Sequence, residues 1–236
     1  MEESGITRLT ELFFFCGTNA RLKEELKIVH GYPCDLTKIE KRYINTKKNR
    51  AVFLDRDGVI TQDPPHFAHR IDQLKLIPKS AEAIRLLNEN GFKVVIVSNQ
   101  SGVARGYYQE KDIGIFNRAM EEELEKHGAS IDSIYYCPHH PDAKVEAYRV
   151  TCECRKPKPG MLKRAEKDLN LDLKRSFMVG DRLIDVEAGH SAGCKTILVL
   201  TCHGSDEVKK VKESTIKPTY ILEDLYSASK MINGVK

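Results

Sequence analysis

From Arg50 to the end of the chain, two kinds of apolar pattern alternate. Short apolar or β-branched runs read as buried strands: Ala51–Asp55, Lys93–Ser98, Ile131–Cys137, Phe177–Gly180 and Thr196–Leu200. Between them apolar residues recur at helical spacing. Ala81, Ile84 and Leu87 share one face of Ser80–Asn90, with Ser80 placed to cap the helix and Gly91 to stop it. Gln109–His127 puts Ile113, Phe116, Met120 and Leu124 on one stripe and ends at Gly128. Met161–Leu169 and Leu183–Ala192 read as further helices, and the tail adds a strand, Thr219–Leu222, and a last helix. This alternation predicts an α/β fold, a Rossmann-like parallel sheet with helices on both faces. Ligands of such sheets bind beyond the carboxyl ends of the strands, so chemistry is expected there.

Residues 1–49 do not share this rhythm. Leu12–Phe15 could form one strand and Arg21–Val29 one helix, followed by Tyr32-Pro33 and a basic stretch. So little apolar content does not support an independent core, so 1–49 is predicted to be an extension and linker before a main domain at 50–236. Residues 1–50 hold 10 Lys/Arg and 7 Asp/Glu, which leaves only +1 of the net +4 to the rest. A near-neutral body argues against a nucleic-acid partner. The longest apolar run, Leu12–Cys16, is five residues. That is far below the roughly 20 of a membrane span and the about 7–15 of a secretory core, so a cytoplasmic chain without membrane contact is expected. A monomer is expected as well.

Chemistry gathers at the strand ends. Ala51–Leu54 runs into Asp55-Arg56-Asp57-Gly58, where Gly58 permits a turn that lets the two carboxylates face different partners. The next strand ends in Ser98-Asn99-Gln100-Ser101-Gly102, whose hydroxyl and N–H groups suit phosphate oxygens. A later strand ends in Gly180-Asp181, with Asp185 one turn on, and Arg155-Lys156 supplies cations. Carboxylates, a hydroxyl and a lysine converging on one rim make a site for Mg²⁺ and phosphate. Each element alone is an ordinary turn; four of them together at strand ends argue against chance.

Asp55-x-Asp57-Gly58, Ser98, Lys156 and Gly180-Asp181-x-x-x-Asp185 resemble, in order and spacing, the four motifs of the haloacid dehalogenase superfamily. More narrowly, FLDRDG, NQSGVARG, CPHHP, CECRKPKPGM and MVGDRLIDVEAG resemble the heptose bisphosphate phosphatases of bacterial heptose biosynthesis. The likeness covers 50–236; Val59 and Ser98 stand where Thr is common. It implies a haloacid dehalogenase-type fold with a zinc-binding loop insertion. It also implies removal of the 7-phosphate from a manno-heptose 1,7-bisphosphate through an aspartyl phosphate. Asp55 would be the nucleophile and Asp57 the acid and base. Mg²⁺ would sit on Asp55, the Asp57 carbonyl and Asp181, with Asp185 behind them. Ser98 and Lys156 would hold the phosphoryl group. Asp63, His66, Asn99, Gln100, Ser101, Arg105, Arg155 and Arg182 would meet the substrate.

Cys137-Pro-His139 and Cys152-Glu-Cys154 lie 12 residues apart, a set that suits tetrahedral zinc or, more plainly, reduced thiols. The resemblance implies Zn²⁺ on Cys137, His139, Cys152 and Cys154, with His140 as the alternative to His139. Cys194 is expected in the core, and His190 and His203 on the surface or in loops. Leu12–Leu22 also resembles, through Gly17-Thr18-x-x-Arg21-Leu22, the end of a sugar nucleotidyltransferase domain. A packing extension explains the same residues. Histidinol-phosphate phosphatases share all four motifs but tend to have a shorter metal loop. A polynucleotide 3′-phosphatase and a non-catalytic zinc-stabilised module are the remaining alternatives.

Overall fold

The computed structural model describes residues 48–64 and 67–234. The strand Leu12–Phe15, the helix Arg21–Val29 and the substrate candidate His66 therefore lie outside the described residues. Six parallel strands form one sheet: β1 (Ala51–Leu54), β2 (Lys93–Asn99), β3 (Ser133–Cys137), β4 (Phe177–Gly180), β5 (Lys195–Val199) and β6 (Tyr220–Leu222), in the order β3-β2-β1-β4-β5-β6. The helices are α1 (Ser80–Glu89), α2 (Glu110–Glu125), α3 (Gly160–Asp168), α4 (Leu183–Ala192), α5 (Gly204–Lys210) and α6 (Leu225–Gly234).

Alternation along each strand divides the core. Val52, Leu54, Val94, Ile96, Val179 and Ile197 pack with Ile84 and Leu87 of α1, Met120 and Leu124 of α2, and Ala228 and Ile232 of α6. Ala51, Phe53, Val95, Val97 and Met178 point to the other face, against Met161, Leu162 and Ala165 of α3 and Ala188 of α4. A strand buried on both faces must be apolar throughout, which is why β1 reads AVFL without a polar position. Both helical layers are those the alternation predicts.

Several local expectations need correction. Ser80 does not cap α1: Lys79, in the left-handed region at φ 64, holds the cap position without a side-chain bond. The Ser80 N–H is instead taken by the Ile77 carbonyl at 3.0 Å, which draws Ser80 into the first turn. Strand β2 runs on through Asn99, and β3 begins only at Ser133. Helix α5 has no apolar stripe to betray it, since only Gly204 is buried. Its Asp206 and Glu207 near the N-terminus and Lys209 and Lys210 near the C-terminus suit the helix dipole instead. Asn49, expected in the linker, is tied to the main body: its N–H donates to the Asn170 carbonyl at 2.9 Å and its carbonyl accepts from Asp172 at 2.8 Å. Among the described residues no helix is long and apolar enough to cross a membrane.

Candidate active site

The sheet continues one residue past β1, because the Asp55 N–H donates to the Val179 carbonyl at 3.0 Å. This fixes Asp55 at the carboxyl edge between β2 and β4. One of its carboxylate oxygens accepts from the Arg56 N–H at 2.8 Å and lies 3.0 Å from Lys156 Nζ. Among the described residues the other oxygen has no partner. The chain then turns, and Asp57 faces elsewhere. Its oxygens accept from Arg56 Nε (3.0 Å) and Nη2 (2.9 Å), Thr61 Oγ1 (3.1 Å) and Gln100 Nε2 (3.0 Å). Gly58 makes the turn at φ +91, and a Cβ there would fall 2.2 Å from Asp181 Oδ2. Any side chain at 58 would displace the acid it abuts.

At the end of β2, Ser98 is buried, and its hydroxyl accepts from Gln100 Nε2 at 2.9 Å. The Gln100 carbonyl oxygen accepts from the Tyr108 hydroxyl at 2.7 Å. Asn99 has both ends of its amide on the Lys156 backbone: Nδ2 donates to the carbonyl at 3.1 Å and Oδ1 accepts from the N–H at 3.0 Å. The amide thus places a residue 57 positions away. Lys156 is buried; its ammonium donates to the Val97 carbonyl (2.8 Å) and lies at ion-pair distance from Asp185 Oδ1 (2.7 Å) and Asp55 Oδ1 (3.0 Å). The buried charge of Lys156 thus lies between the carboxylates of Asp55 and Asp185.

Asp181 and Asp185 follow β4, and with Asp55 they offer carboxylate oxygens within 4.8 Å of one another. Asp181 Oδ2 accepts from the His203 N–H at 3.1 Å, while buried Oδ1 has no partner. Burial, with the like charges of Asp55 and Asp185, raises Asp181 to about 8. Burial also raises Asp55 to about 7, against the pull of Lys156. Packed acids of this kind fit a divalent cation, which would restore them to the charged state.

Both groups hold their protons more tightly folded than unfolded. Their stabilisation is thus complete below the ordinary value of 3.8 and is lost as pH rises through about 7 to 8. Protein dialysed free of magnesium is expected to melt lower at pH 8 than at pH 5. Added Mg²⁺, which selects the ionised acids, is expected to raise the melting temperature more at pH 8. An equal rise at both values would count against a cation among these carboxylates.

The second cluster is sulfur-rich. Cys154 Sγ lies 3.2 Å from Cys137 Sγ, 3.1 Å from Cys152 Sγ and 3.5 Å from His139 Nδ1. All four ligand atoms fall within 4.8 Å of one another. Burial opposes the Cys152 thiolate, yet hydrogen bonds from Cys154 and Cys137 bring that thiol down to about 7. Three thiols and one imidazole crowded this closely fit a tetrahedral zinc ion. His140 is not among them. Its Nε2 faces Arg105 Nη2 at 3.4 Å, and its Nδ1 accepts from the Asp142 N–H.

The other substrate candidates divide into two groups on the rim. Arg155 donates to the His139 carbonyl at 3.2 Å and stands near Arg105; burial and that neighbouring charge lower its pKa. Among the described residues neither guanidinium has a carboxylate partner, and Arg105 Nε is buried without one. Ser101 is buried, its carbonyl accepting from the Arg105 N–H at 3.0 Å. On the far side Asp63 accepts from His203 Nε2 (2.8 Å) and Arg182 Nη2 (3.4 Å). His203, expected on the surface or in a loop, is half-exposed, but its ring and its N–H bind two site acids. Arg56, Thr61, Tyr108 and Asn117 are not singled out by the sequence. Arg56 and Asn117 meet across 61 positions, and the bonds of Arg56 and Thr61 to Asp57 and of Tyr108 to Gln100 follow no periodicity that a sequence reading uses.

Comparison with known proteins agrees with this arrangement. A family model described as haloacid dehalogenase-like hydrolase matches residues 52–130, and one described as HAD-hydrolase-like matches 153–228. The chain is 44% identical over 188 residues to D-glycero-beta-D-manno-heptose-1,7-bisphosphate 7-phosphatase of Pasteurella multocida, covering 79% of this chain and 98% of the relative. It is also 44% identical over 152 residues to the protein of the same name from Escherichia coli K12, covering 64% and 79%. Among solved structures it is similar to D,D-heptose 1,7-bisphosphate phosphatase from B. bronchiseptica, complexed with magnesium and phosphate. That match has a TM-score of 0.69 and 33% identity, over 78% of this chain and 97% of the other. The Asp55–Gly58 turn, the carboxylate cluster and the cysteine loop thus sit in a chain that belongs to the D-glycero-beta-D-manno-heptose-1,7-bisphosphate 7-phosphatase family of haloacid dehalogenase-like hydrolases.

Proposed function

We propose that this chain hydrolyses the 7-phosphate of D-glycero-β-D-manno-heptose 1,7-bisphosphate and serves nucleotide-heptose synthesis for lipopolysaccharide or surface glycans. The unbonded oxygen of Asp55 attacks phosphorus, and the bond from phosphorus to the sugar oxygen breaks. Asp57 delivers its proton to that departing oxygen. Water then attacks the phosphorus of the aspartyl phosphate, Asp57 accepts its proton, and inorganic phosphate leaves with Asp55 restored. Asp55, the Asp57 carbonyl and Asp181 would hold Mg²⁺, which when bound supplies charge to the phosphoryl oxygens. Lys156 pulls Asp55 toward the anion, and Asp185 pairs with Lys156. Ser98 and the N–H groups after β2 offer donors to the phosphoryl group. Zinc on Cys137, His139, Cys152 and Cys154 would stiffen the loop that carries Arg155 and Lys156.

The observation that carries the substrate assignment is the Arg105–Arg155 pair. Two guanidiniums without a carboxylate partner among the described residues suit a second phosphate on the same molecule. They disfavour histidinol phosphate, whose ammonium would meet like charge. Asp63, Arg182 and, after β2, Gln100 and Ser101 frame the sugar, while Asn99 holds the Lys156 backbone. All of this machinery follows residue 50, which supports 1–49 as an extension to a self-sufficient phosphatase. The reduced thiols suit the cytosol, and the partner is a small molecule met by a monomer.

Phosphate release from both anomers of the heptose bisphosphate and from histidinol phosphate tests the reading. The β-anomer is expected to exceed histidinol phosphate in kcat/KM by at least about 100-fold, the worth of a single charge-assisted hydrogen bond to the second phosphate. Preference for histidinol phosphate would overturn the assignment.

A further inference from the structure

Between the nucleophile and the acid lies a residue that the reaction as written does not use. The Arg56 side chain is 1% exposed, a complete cation sealed inside the domain. Its fork donates through Nε to Asp57 Oδ1 (3.0 Å) and through Nη2 to Asp57 Oδ2 (2.9 Å). Nη2 also donates to the Ala68 carbonyl (2.8 Å), and Nη1 to Asn117 Oδ1 (3.0 Å). The guanidinium stacks on the Phe116 ring, 4.4 Å from its centroid. Phe116 and Asn117 are adjacent on α2, so one helix holds the arginine by a face and by an edge.

Burying an arginine is expensive in desolvation, and an apolar side chain of similar volume would pack beside Phe116 without that penalty. What an apolar residue could not do is grip both oxygens of the neighbouring carboxylate. A two-point fork fixes the plane of that carboxylate as well as its position. Thr61 and Gln100 add one bond to each oxygen, so the head group is held from several sides.

We propose that Arg56, braced by Asn117 and Phe116, is a positioning residue that aims Asp57 at the departing sugar oxygen. This rests on Asp57 being the proton donor of the proposed phosphatase reaction. When the phosphorus–oxygen bond breaks, the Asp57 proton moves to the sugar oxygen and Asp57 is left as a carboxylate. The fork of Arg56 meets that new charge at once. The aim of the Asp57 carboxyl matters only when a proton is transferred, so the effect depends on the leaving group. A sugar alkoxide needs the proton; p-nitrophenolate departs as a stable anion and does not.

The test is the rate of leaving-group release in a single enzyme turnover, for the heptose bisphosphate and for p-nitrophenyl phosphate. Arg56→Lys keeps the charge but loses the fork. Asn117→Asp is nearly isosteric and sets a second carboxylate to compete for Arg56, so it serves if Arg56→Lys does not fold. Each folded variant is expected to lose about 100-fold on the sugar substrate, the low end of what general acid catalysis contributes, and less than about threefold on p-nitrophenyl phosphate. Equal losses on both substrates, or none on either, would overturn the proposal. Asp57→Asn separates it from its premise. If that variant lacks the leaving-group selectivity, Asp57 is not the donor; if it has the selectivity and the other two lack it, only the role of Arg56 fails.

Discussion

Asp55→Asn is expected to give a folded protein whose turnover is lower by about 10⁴-fold or more, as when a covalent nucleophile is removed from groups acting as a unit. The substitution keeps shape and takes away the attacking oxygen. The fold should tolerate it. Lys156 retains Asp185 at 2.7 Å and the Val97 carbonyl at 2.8 Å, so no buried cation is stranded. Asp55 also repels Asp181, and removing that charge relieves one cause of the raised Asp181 pKa. The melting temperature without magnesium is therefore expected to stay level or rise. Steady-state phosphate release and mass spectrometry of rapidly quenched enzyme give the two readings. The parent should show a phosphoryl adduct and the variant none. Turnover within tenfold of the parent in a folded Asp55→Asn protein would end the covalent mechanism.

Cys154→Ser is expected to produce the second large effect, this time on stability. Cys154 is the thiol nearest all its companions, at 3.1 and 3.2 Å from the other two sulfurs. Its loss leaves Cys137 buried with an unmatched site. Metal affinity in a preformed cluster is folding free energy, so zinc content should fall from about one per chain to near zero. The melting temperature should drop by about 10 °C, since each kcal/mol moves it by roughly 2–4 °C in a domain of this size. Activity should fall by about 10–100-fold, the range seen when groups that orient a site are removed. The loss is partial for a geometric reason. The Lys156 backbone has a second anchor in Asn99, which does not depend on the cysteine loop. Elemental analysis beside a thermal melt decides it. Full stability with no zinc in either protein would remove the metal from the account.

The difference between what is legible in the sequence and what is not follows the range of each interaction. Strands such as AVFL declare themselves because burial on both faces demands apolar residues in sequence, and Asp55, Asp57 and Asp181 stand out as acids just past such runs. Spacing groups Cys137, His139, Cys152 and Cys154 but by itself leaves zinc and reduced thiols both open. Arg56 reads as an ordinary charged turn residue, because the groups that bury it, Phe116 and Asn117, are 60 and 61 positions away. Asn99 reads as a sugar ligand, whereas its amide is occupied by the Lys156 backbone. His203 reads as a loop histidine because Asp63 and Asp181 meet it only after the sheet has formed. Helix α5 leaves no stripe, having one buried residue. Periodicity sees a residue's relation to the core; it does not see a polar partner across the fold.

The strand order has a consequence for how the molecule opens. Asp55 continues β1, which has β2 on one side and β4 on the other, so the β1 amide protons are covered by neighbours on both flanks. Strand β6 is an edge with Ile221 exposed, and β3 is the opposite edge. Amide exchange should therefore proceed inward from the two margins, with β1 exchanging only when the whole domain unfolds. Partial fraying at either edge leaves Asp55 in register. On slow heating, the loss of the β1 amides and the loss of the catalytic constellation should coincide as one event, later than the first exchange at β6.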